Sequence, residues 1–392
     1  MAVKITVGSE ASNKPPFPEP DTSEYPIQLT MADERKVWIS NPQPDKLTLI
    51  APLLWKHFQP QPKDEAQFIE YITTMSSVLA TVGGLTKIVS TRFDKTNKLF
   101  YEIVLQAGDR DAVAIIQFTK PKGGAKPQPW KLRIELNPRK IGPAGFKALA
   151  GDMSYSHTFR LARYLADAKI TRLDTAVDFI GVQVADTLPQ IEPLGKSSYV
   201  VGRDGVLETI SLHRPAPPPK QNYDAAGTPK KVKRSDNPLG EVLVKVYDRV
   251  RERASVLQPA PFGPAEVTRC EVVKKWKGNG PTLLKLTSFG NPLNDVSLTY
   301  IDAAVPNSDL QLWKAYVGLR RHYPATIATR MLGLSIIQAL AWGKLYKDPP
   351  SALITPAKSW LGWPSGLKQS GLDHWIGIAA SAEFDLFEGG QT

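Results

Sequence analysis

The stretch "KITRLDTAVDFIG", Lys169 to Gly181, has the apolar content of a buried strand, yet it carries Arg172, Asp174 and Asp178. Alternate side chains of an extended chain share a face, so Arg172, Asp174, Ala176 and Asp178 project one way and Leu173, Thr175, Val177 and Phe179 the other. One side of this strand suits a core; the other is polar. Asp174 and Asp178 are four residues apart, about 13 Å along a strand that rises about 3.3 Å per residue, too far to share one metal ion unless the strand bulges.

The same parity recurs nearby. In "VLVKVYD" Lys245 and Tyr247 share a face, in "VTRCEVV" Arg269 and Glu271 do, and in "KLRIELN" Lys131, Arg133, Glu135 and Asn137 align. Four strands that each place acidic, basic or phenolic groups on one side predict a polar sheet face forming a cleft. The ordinary alternative is a solvent-facing sheet studded with ion pairs, since antiparallel sheets often leave one face wet.

Around this face the pattern is α+β: a mostly antiparallel sheet with helices on one face and a polar catalytic face, plus a helical C-terminal region. Residues 12–45 are rich in proline and polar groups and read as an extended arm, so residues 1–60 form an arm with the first elements. "KDEAQFIEYITTMSSVLATVGG" has helical spacing and a glycine stop. "KLFYEIVLQAG", "DAVAIIQFTK" and "WKLRIELNP" read as a meander, "SHTFRLARYLADA" as a helix, and "SSYVVG", "GVLETISLH", "GEVLVKVYD" and "AEVTRCEVVKKW" as later strands. Residues 61–300 make the main domain. Within it residues 214–238 hold six prolines with Lys220, Lys230, Lys231, Lys233 and Arg234, a cationic flap suited to phosphate or a solvated hairpin tip. Residues 301–392 turn helical.

Lysine and arginine number 49 against 38 acidic residues, a formal charge of +11, which favours nucleic acid over membrane as a partner. A single cysteine, Cys270, excludes an internal disulfide framework and a multi-thiolate zinc site, and fits a reducing, cytoplasmic setting. "MAVKITVGSEASNKPPF" lacks a basic region followed by an apolar core, so no signal peptide is expected. The most apolar run, "MLGLSIIQALAW", is shorter than the roughly 20 residues of a membrane-spanning helix.

A tyrosine among carboxylates and arginines suits attack on a phosphodiester, provided cations or a metal help a phenol whose ordinary pKa is near 10. Carboxylate oxygens at an open site suit Mg²⁺ or Mn²⁺. Tyr247 is flanked in sequence by Lys245, Arg249 and Arg251. The histidines are scattered, and no phosphate-binding loop ending in Gly-Lys-Ser or Gly-Lys-Thr occurs, so nucleotide hydrolysis has no visible site.

In order, "LRIELNP", "ITRLDTAVDF", "YVVGRDG", "KVYDRVRE" and "TRCEV" resemble the replication initiation factor (Rep-trans) family of filamentous phages and small rolling-circle plasmids. The resemblance covers about residues 130–275. It implies an origin-specific nickase that attacks one DNA strand with a tyrosine, keeps the 5′ phosphate and frees a 3′ hydroxyl. The family's Arg-x-Asp-x-x-x-Asp strand falls on Arg172, Asp174 and Asp178, its Tyr-Asp-Lys motif on Tyr247, Asp248 and Arg249 with Glu252 following, and its Arg-x-Glu strand on Arg269 and Glu271.

By that resemblance Tyr247 is the nucleophile, assisted by Lys245 and Arg249, with Tyr199, Tyr223 and Tyr300 as rivals. Asp174 and then Glu271 are the metal ligands, and Asp178 binds metal or orients an arginine. Arg172 and Arg269 contact phosphate or brace the carboxylates, and Arg251 and the flap residues Lys230, Lys231, Lys233 and Arg234 meet DNA, in a groove positive enough to admit a single strand. Arginine stands where the family commonly has lysine after the Tyr-Asp pair, which keeps charge but not a lysine-specific role. Single-stranded or hairpin origin DNA is the implied partner, with host polymerase, helicase and a second copy of the chain as further ones. A non-catalytic DNA-binding protein of the same fold is the alternative.

Overall fold

The computed structural model describes residues 23–30, 36–81, 86–88, 99–107, 111–120, 129–154, 158–184, 187–191, 195–203, 207–215, 241–255, 266–276, 280–289, 291–300, 315–316, 319, 325–333, 352–354 and 363–388. Among these the strands are β1 (Ile27–Thr30), β2 (Lys36–Ile39), β3 (Gln43–Leu53), β4 (Thr86–Ile88), β5 (Leu99–Ala107), β6 (Asp111–Thr119), β7 (Trp130–Leu136), β8 (Lys169–Ile180), β9 (Thr187–Ile191), β10 (Lys196–Val201), β11 (Leu207–Arg214), β12 (Glu241–Asp248), β13 (Val267–Lys275), β14 (Val296–Tyr300) and β15 (Ala352–Ile354). The helices used below are α1 (Glu65–Thr81), α2 (Pro138–Ser154), α3 (Leu161–Asp167), α4 (Arg249–Ser255), α5 (Trp363–Ser370) and α6 (Leu372–Glu388).

Ten strands follow one another in the order β10-β11-β12-β13-β8-β3-β7-β6-β5-β4; β2 also joins β8 and carries β1, completing a twelve-stranded sheet. The pairings are antiparallel, as the short β-branched runs and turn signals predict. The α+β class therefore stands.

Position 173 explains how the layers assemble. Leu173 faces Leu47 across β8 and β3 and joins a core with Leu49, Leu132, Ile134, Phe146, Leu165, Leu367 and Trp375, drawn from β3, β7, α2, α3, α5 and α6. Val177 and Phe179, of the same parity, join a second core with Val244, Val246, Cys270, Val272, Val296 and Leu298. Both cores thus lie on one face of the sheet. Helices cover one half of that face. A three-stranded sheet, β15-β14-β9, covers the other.

The N-terminal arm is corrected by the structure: residues 27–53 supply three strands, and β3 is central to the sheet. Its prolines sit where a missing N–H is harmless. Pro44 adjoins a bulge, and Pro52 lies beyond Ile50, the last residue of β3 paired to β8. Near the other end of the chain, α5 and α6 share the first core, and the Trp375 indole donates to the Phe146 carbonyl at 3.1 Å. Each buried leucine there contributes roughly 1.5–3 kcal/mol, so these helices are held to the main core rather than standing apart.

Helix α2 falls where the sequence reading placed no element. Gly142, with φ of 64°, and Pro143 break it in two, which hides its periodicity. The predicted helix over 156–168 is observed as α3, and residues 216–238 of the flap predicted over 214–238 lie outside the described residues. Among the described residues no helix is long and apolar enough to cross a membrane.

Candidate active site

Strand register turns the parity expectation into neighbours. Lys245 of β12 lies opposite Glu271 of β13, and Tyr247 opposite Arg269. Across the next interface Arg269 pairs with Asp178 of β8, Glu271 with Ala176, and Val273 with Asp174. On the far side of β8, Lys46 of β3 pairs with Asp174 and Thr48 with Arg172. Tyr247, Lys245, Arg269, Glu271, Asp178, Asp174 and Arg172 therefore share the polar face, opposite the two cores. The face continues outward through ion pairs from Lys46 to Glu135 and from Glu135 to Arg133, then hydrogen bonds from Arg133 to Gln117 (2.7 Å) and from Gln117 to Glu102 (2.5 Å).

The carboxylates divide into two environments. Asp178, 3% exposed, receives Arg269 through Nε at 2.6 Å and Nη2 at 2.9 Å, and Arg139 from the start of α2 at 2.9 Å. Burial works to raise its pKa, but the Arg269 and Arg139 guanidiniums outweigh it and hold the carboxyl far below the usual carboxylate range. Both oxygens of Asp178 are thus occupied, which leaves it orienting arginines rather than offering an open metal position. Arg269 is itself 1% exposed and also lies 3.6 Å from Asp45. Of the two roles expected for it, phosphate contact or bracing the carboxylates, its pairing with Asp178 fits the second.

Asp174 and Glu271 lie in the opposite condition. Burial, with Asp45 nearby, raises Asp174 despite Arg172, which clamps both its oxygens through Nε at 2.8 and 3.1 Å and Nη2 at 2.5 Å. Burial first, then the Asp174 charge, raises Glu271, with Lys245 opposing. Glu271 is 9% exposed, and its carboxylate makes no ion pair or hydrogen bond with a described residue. Arg172, committed to Asp174, likewise braces an acid.

An open cleft of about 770 Å³ lies over this face, lined by both Tyr247 and Glu271 together with Lys245, Asp248, Arg251 and Glu208. Asp248 ends β12 and accepts the backbone N–H groups of Val250 (2.9 Å) and Arg251 (3.0 Å), so the residue after the tyrosine caps α4 and turns that helix into a wall of the cleft. Arg251 ties the wall to β11 through Glu208 at 2.8 Å. Arg249 pairs with Glu252 at 2.5 Å. The Tyr247 phenol is pushed up by burial, with Arg269 and Arg249 pulling down and Glu271 up. The phenol is not ionised by this setting alone.

Among the described residues the cleft lining holds four carboxylates, Glu208, Asp248, Glu252 and Glu271, and two cations, Lys245 and Arg251. Glu271 offers an uncommitted carboxylate, whereas both oxygens of Asp174 already accept from Arg172, so Glu271 is the donor that suits a hydrated Mg²⁺ or Mn²⁺ held by one or two carboxylates. Among the described residues no group of three acids, histidines or cysteines forms a cage.

Asp45 is the neighbour that sequence parity missed. It sits where the β3 register shifts between Pro44 and Lys46, and a bulge aims its side chain toward Arg269. A proline inside a strand was the available signal. Lys230, Lys231, Lys233, Arg234 and Tyr223 lie outside the described residues, while Tyr199 and Tyr300 sit on β10 and β14.

No family model matches the chain, and no curated protein matches it. Among solved structures the chain is similar to the rolling circle replication initiator protein from Geobacillus stearothermophilus, with 10% identity and a TM-score of 0.31, over 78% of this chain and 96% of that one. At that score the likeness assigns neither family nor function.

Proposed function

We propose that this protein is a metal-dependent DNA nickase that starts rolling-circle replication, with Tyr247 as nucleophile. The observation that carries the reading is the shared cleft: Tyr247 and Glu271, on adjacent strands, line one opening together with Lys245 and Arg251. Tyr247 Oη attacks a backbone phosphorus; the new O–P bond forms as the bond to the 3′ oxygen breaks, and the phenolic proton ends on that 3′ oxygen. The phosphodiester becomes a 5′-phosphotyrosine, so the bond energy is conserved and no nucleotide is hydrolysed.

Each residue has a task matched to its setting. Glu271 would hold Mg²⁺ or Mn²⁺, joined by Asp174 where Arg172 releases an oxygen, and the ion would supply a Lewis acid at the phosphoryl oxygen. Lys245, opposite Glu271, balances charge at the cleft floor. Arg249 adjoins the phenol and favours its ionised form. Arg172 and the Asp178–Arg269 pair keep the face rigid, so the reacting groups are positioned before substrate arrives. The four acids among the described lining residues support the metal requirement, since a divalent cation offsets their charge toward a polyanion.

Single-stranded or hairpin origin DNA is the proposed substrate, and polymerase and helicase act on the freed 3′ end. The test is relaxation of supercoiled origin DNA with and without Mn²⁺ by wild-type protein and Tyr247→Phe. Metal-dependent relaxation by the first, reduced at least roughly a thousandfold in the second, fits the proposal. DNA binding without relaxation under any metal condition would instead identify a non-catalytic binder.

A further inference from the structure

The cleft over Tyr247 has two unlike sides. Glu208, Asp248 and Glu252 gather at α4, where each already faces an arginine: Glu208 and Asp248 pair with Arg251 at 2.8 and 3.4 Å, and Glu252 pairs with Arg249 at 2.5 Å. The other side is floored by β11. Thr209 lies opposite Tyr247 and Ser211 opposite Lys245, so both residues line the opening on the face that holds the phenol.

That floor continues past β11. Among the described strands β10 forms the edge of the sheet, and its register sets Ser198 against Ser211 and Lys196 against His213. Directly opposed residues of an antiparallel pair share a face, so Ser198 and Lys196 extend the surface that begins at Lys245 and Ser211. Two interstrand steps of about 4.8 Å carry it roughly 10 Å from β12 to the edge, about three nucleotides at the 3.4 Å spacing of a stacked strand.

The chemistry of this edge suits a polyanion. The sequence of β10, KSSYVV, has no carboxylate, and Lys196 and Ser198 are exposed. The Lys196 side chain makes no ion pair or hydrogen bond with a described residue. Glu241, near its partner His213, is taken up by that histidine at 2.9 Å. A register shift between Val200 and Val201 leaves Glu208 opposite no residue of β10, and Glu208 binds Arg251 instead. Serine and threonine hydroxyls and lysine ammonium groups are ordinary donors to backbone phosphates.

We infer that the β10–β11 hairpin is the track along which single-stranded DNA leaves the Tyr247 cleft, with Ser211, Ser198 and Lys196 meeting its phosphates in turn. The strand crosses the sheet edge rather than following α4. The inference rests on the nickase reading for the identity of the strand.

Two adjacent serines of β10 test it. Ser198 shares the face of Ser211, whereas Ser197 lies opposite Leu212 of the second core and so points to the other side of the sheet; both serines are exposed. In binding of a labelled single-stranded origin oligonucleotide, Ser198→Asp should weaken affinity roughly tenfold by like-charge repulsion, and Ser197→Asp should change it by less than about twofold. Lys196→Gln should flatten the logarithmic salt dependence by about 0.7, the loss of one phosphate contact on a single strand. A further pair adds no charge. Cys270 is the chain's one cysteine and is buried, so an oligonucleotide carrying a disulfide-activated tether should couple to Ser198→Cys and much more slowly to Ser197→Cys.

Equal effects of the two aspartates, with equal coupling of the two cysteines, overturn the track, while nicking by wild type would leave the nickase reading intact. Discrimination within both pairs by a protein that never cleaves supports the track and sinks the nickase. Absence of any strand binding sinks both.

Discussion

The two ends of the polar face use the same residue types for opposite ends. Around Asp178 each carboxylate oxygen meets a guanidinium, and the acid is held far below its usual range. Around Glu271 and Asp174, buried to a similar degree on neighbouring strands, the acids crowd one another and are raised. A buried charge costs several kcal/mol unless it is paired; Asp174 has Arg172, but Glu271 makes no ion pair or hydrogen bond with a described residue, so Glu271 is the poorly satisfied acid of the second end. The difference separates a structural joint from a place that gains by binding a cation.

The largest effect should come from breaking the satisfied end. Asp178→Asn leaves Arg269 enclosed with Asp45 as its remaining acid, and urea unfolding should show a loss of about 3–5 kcal/mol. A loss below about 1 kcal/mol would dissolve the distinction between the two ends.

Next in size is metal stabilisation of the other end. Mn²⁺ at about 100 times its Kd should raise the unfolding free energy of the wild type by about 2.7 kcal/mol, read as a higher melting temperature. Glu271→Gln should abolish most of that gain. Equal gains in both proteins would place the ion elsewhere.

A smaller effect appears in the pH profile of the metal-free protein. The raised acids, Asp174 and Glu271, destabilise the fold when ionised, so stability should increase as pH falls from neutral toward about 5. Asp178 has a depressed pKa, so its contribution is complete above about pH 4, the unfolded carboxylate value, and is lost as pH falls below that. Glu271→Gln should weaken the rise and be more stable than wild type at pH 7 by about 1 kcal/mol, while Asp178→Asn should lose the acid limb. Isothermal urea melts between pH 3 and 8 separate these outcomes.

Much of this contrast is legible in the sequence. Period-two parity placed Arg172, Asp174, Asp178, Lys245, Tyr247, Arg269 and Glu271 on common faces, because a strand admits only two directions. Parity does not say which carboxylate meets which arginine; that follows from register, which sets Arg269 against Asp178 and Lys245 against Glu271. Asp45 escaped because a bulge breaks parity, and Arg139 because Gly142 and Pro143 concealed the helix it begins. Asn137 followed by Pro138 was a legible helix start, with Asn137 Oδ1 accepting from the Lys140 N–H at 3.1 Å. The gathering of Glu208, Asp248, Glu252 and Glu271 among the described lining residues was not legible, because the charge excess of the whole chain does not report how a single opening is lined.

The most direct test is mass spectrometry of the covalent product formed when the protein, with Mn²⁺, meets an origin oligonucleotide designed so that the released strand diffuses away. The account predicts a 5′-phosphorylated adduct on the peptide containing Tyr247, absent from Tyr247→Phe. An adduct on Tyr199, Tyr223 or Tyr300, or nicked DNA with no protein attached, would contradict it.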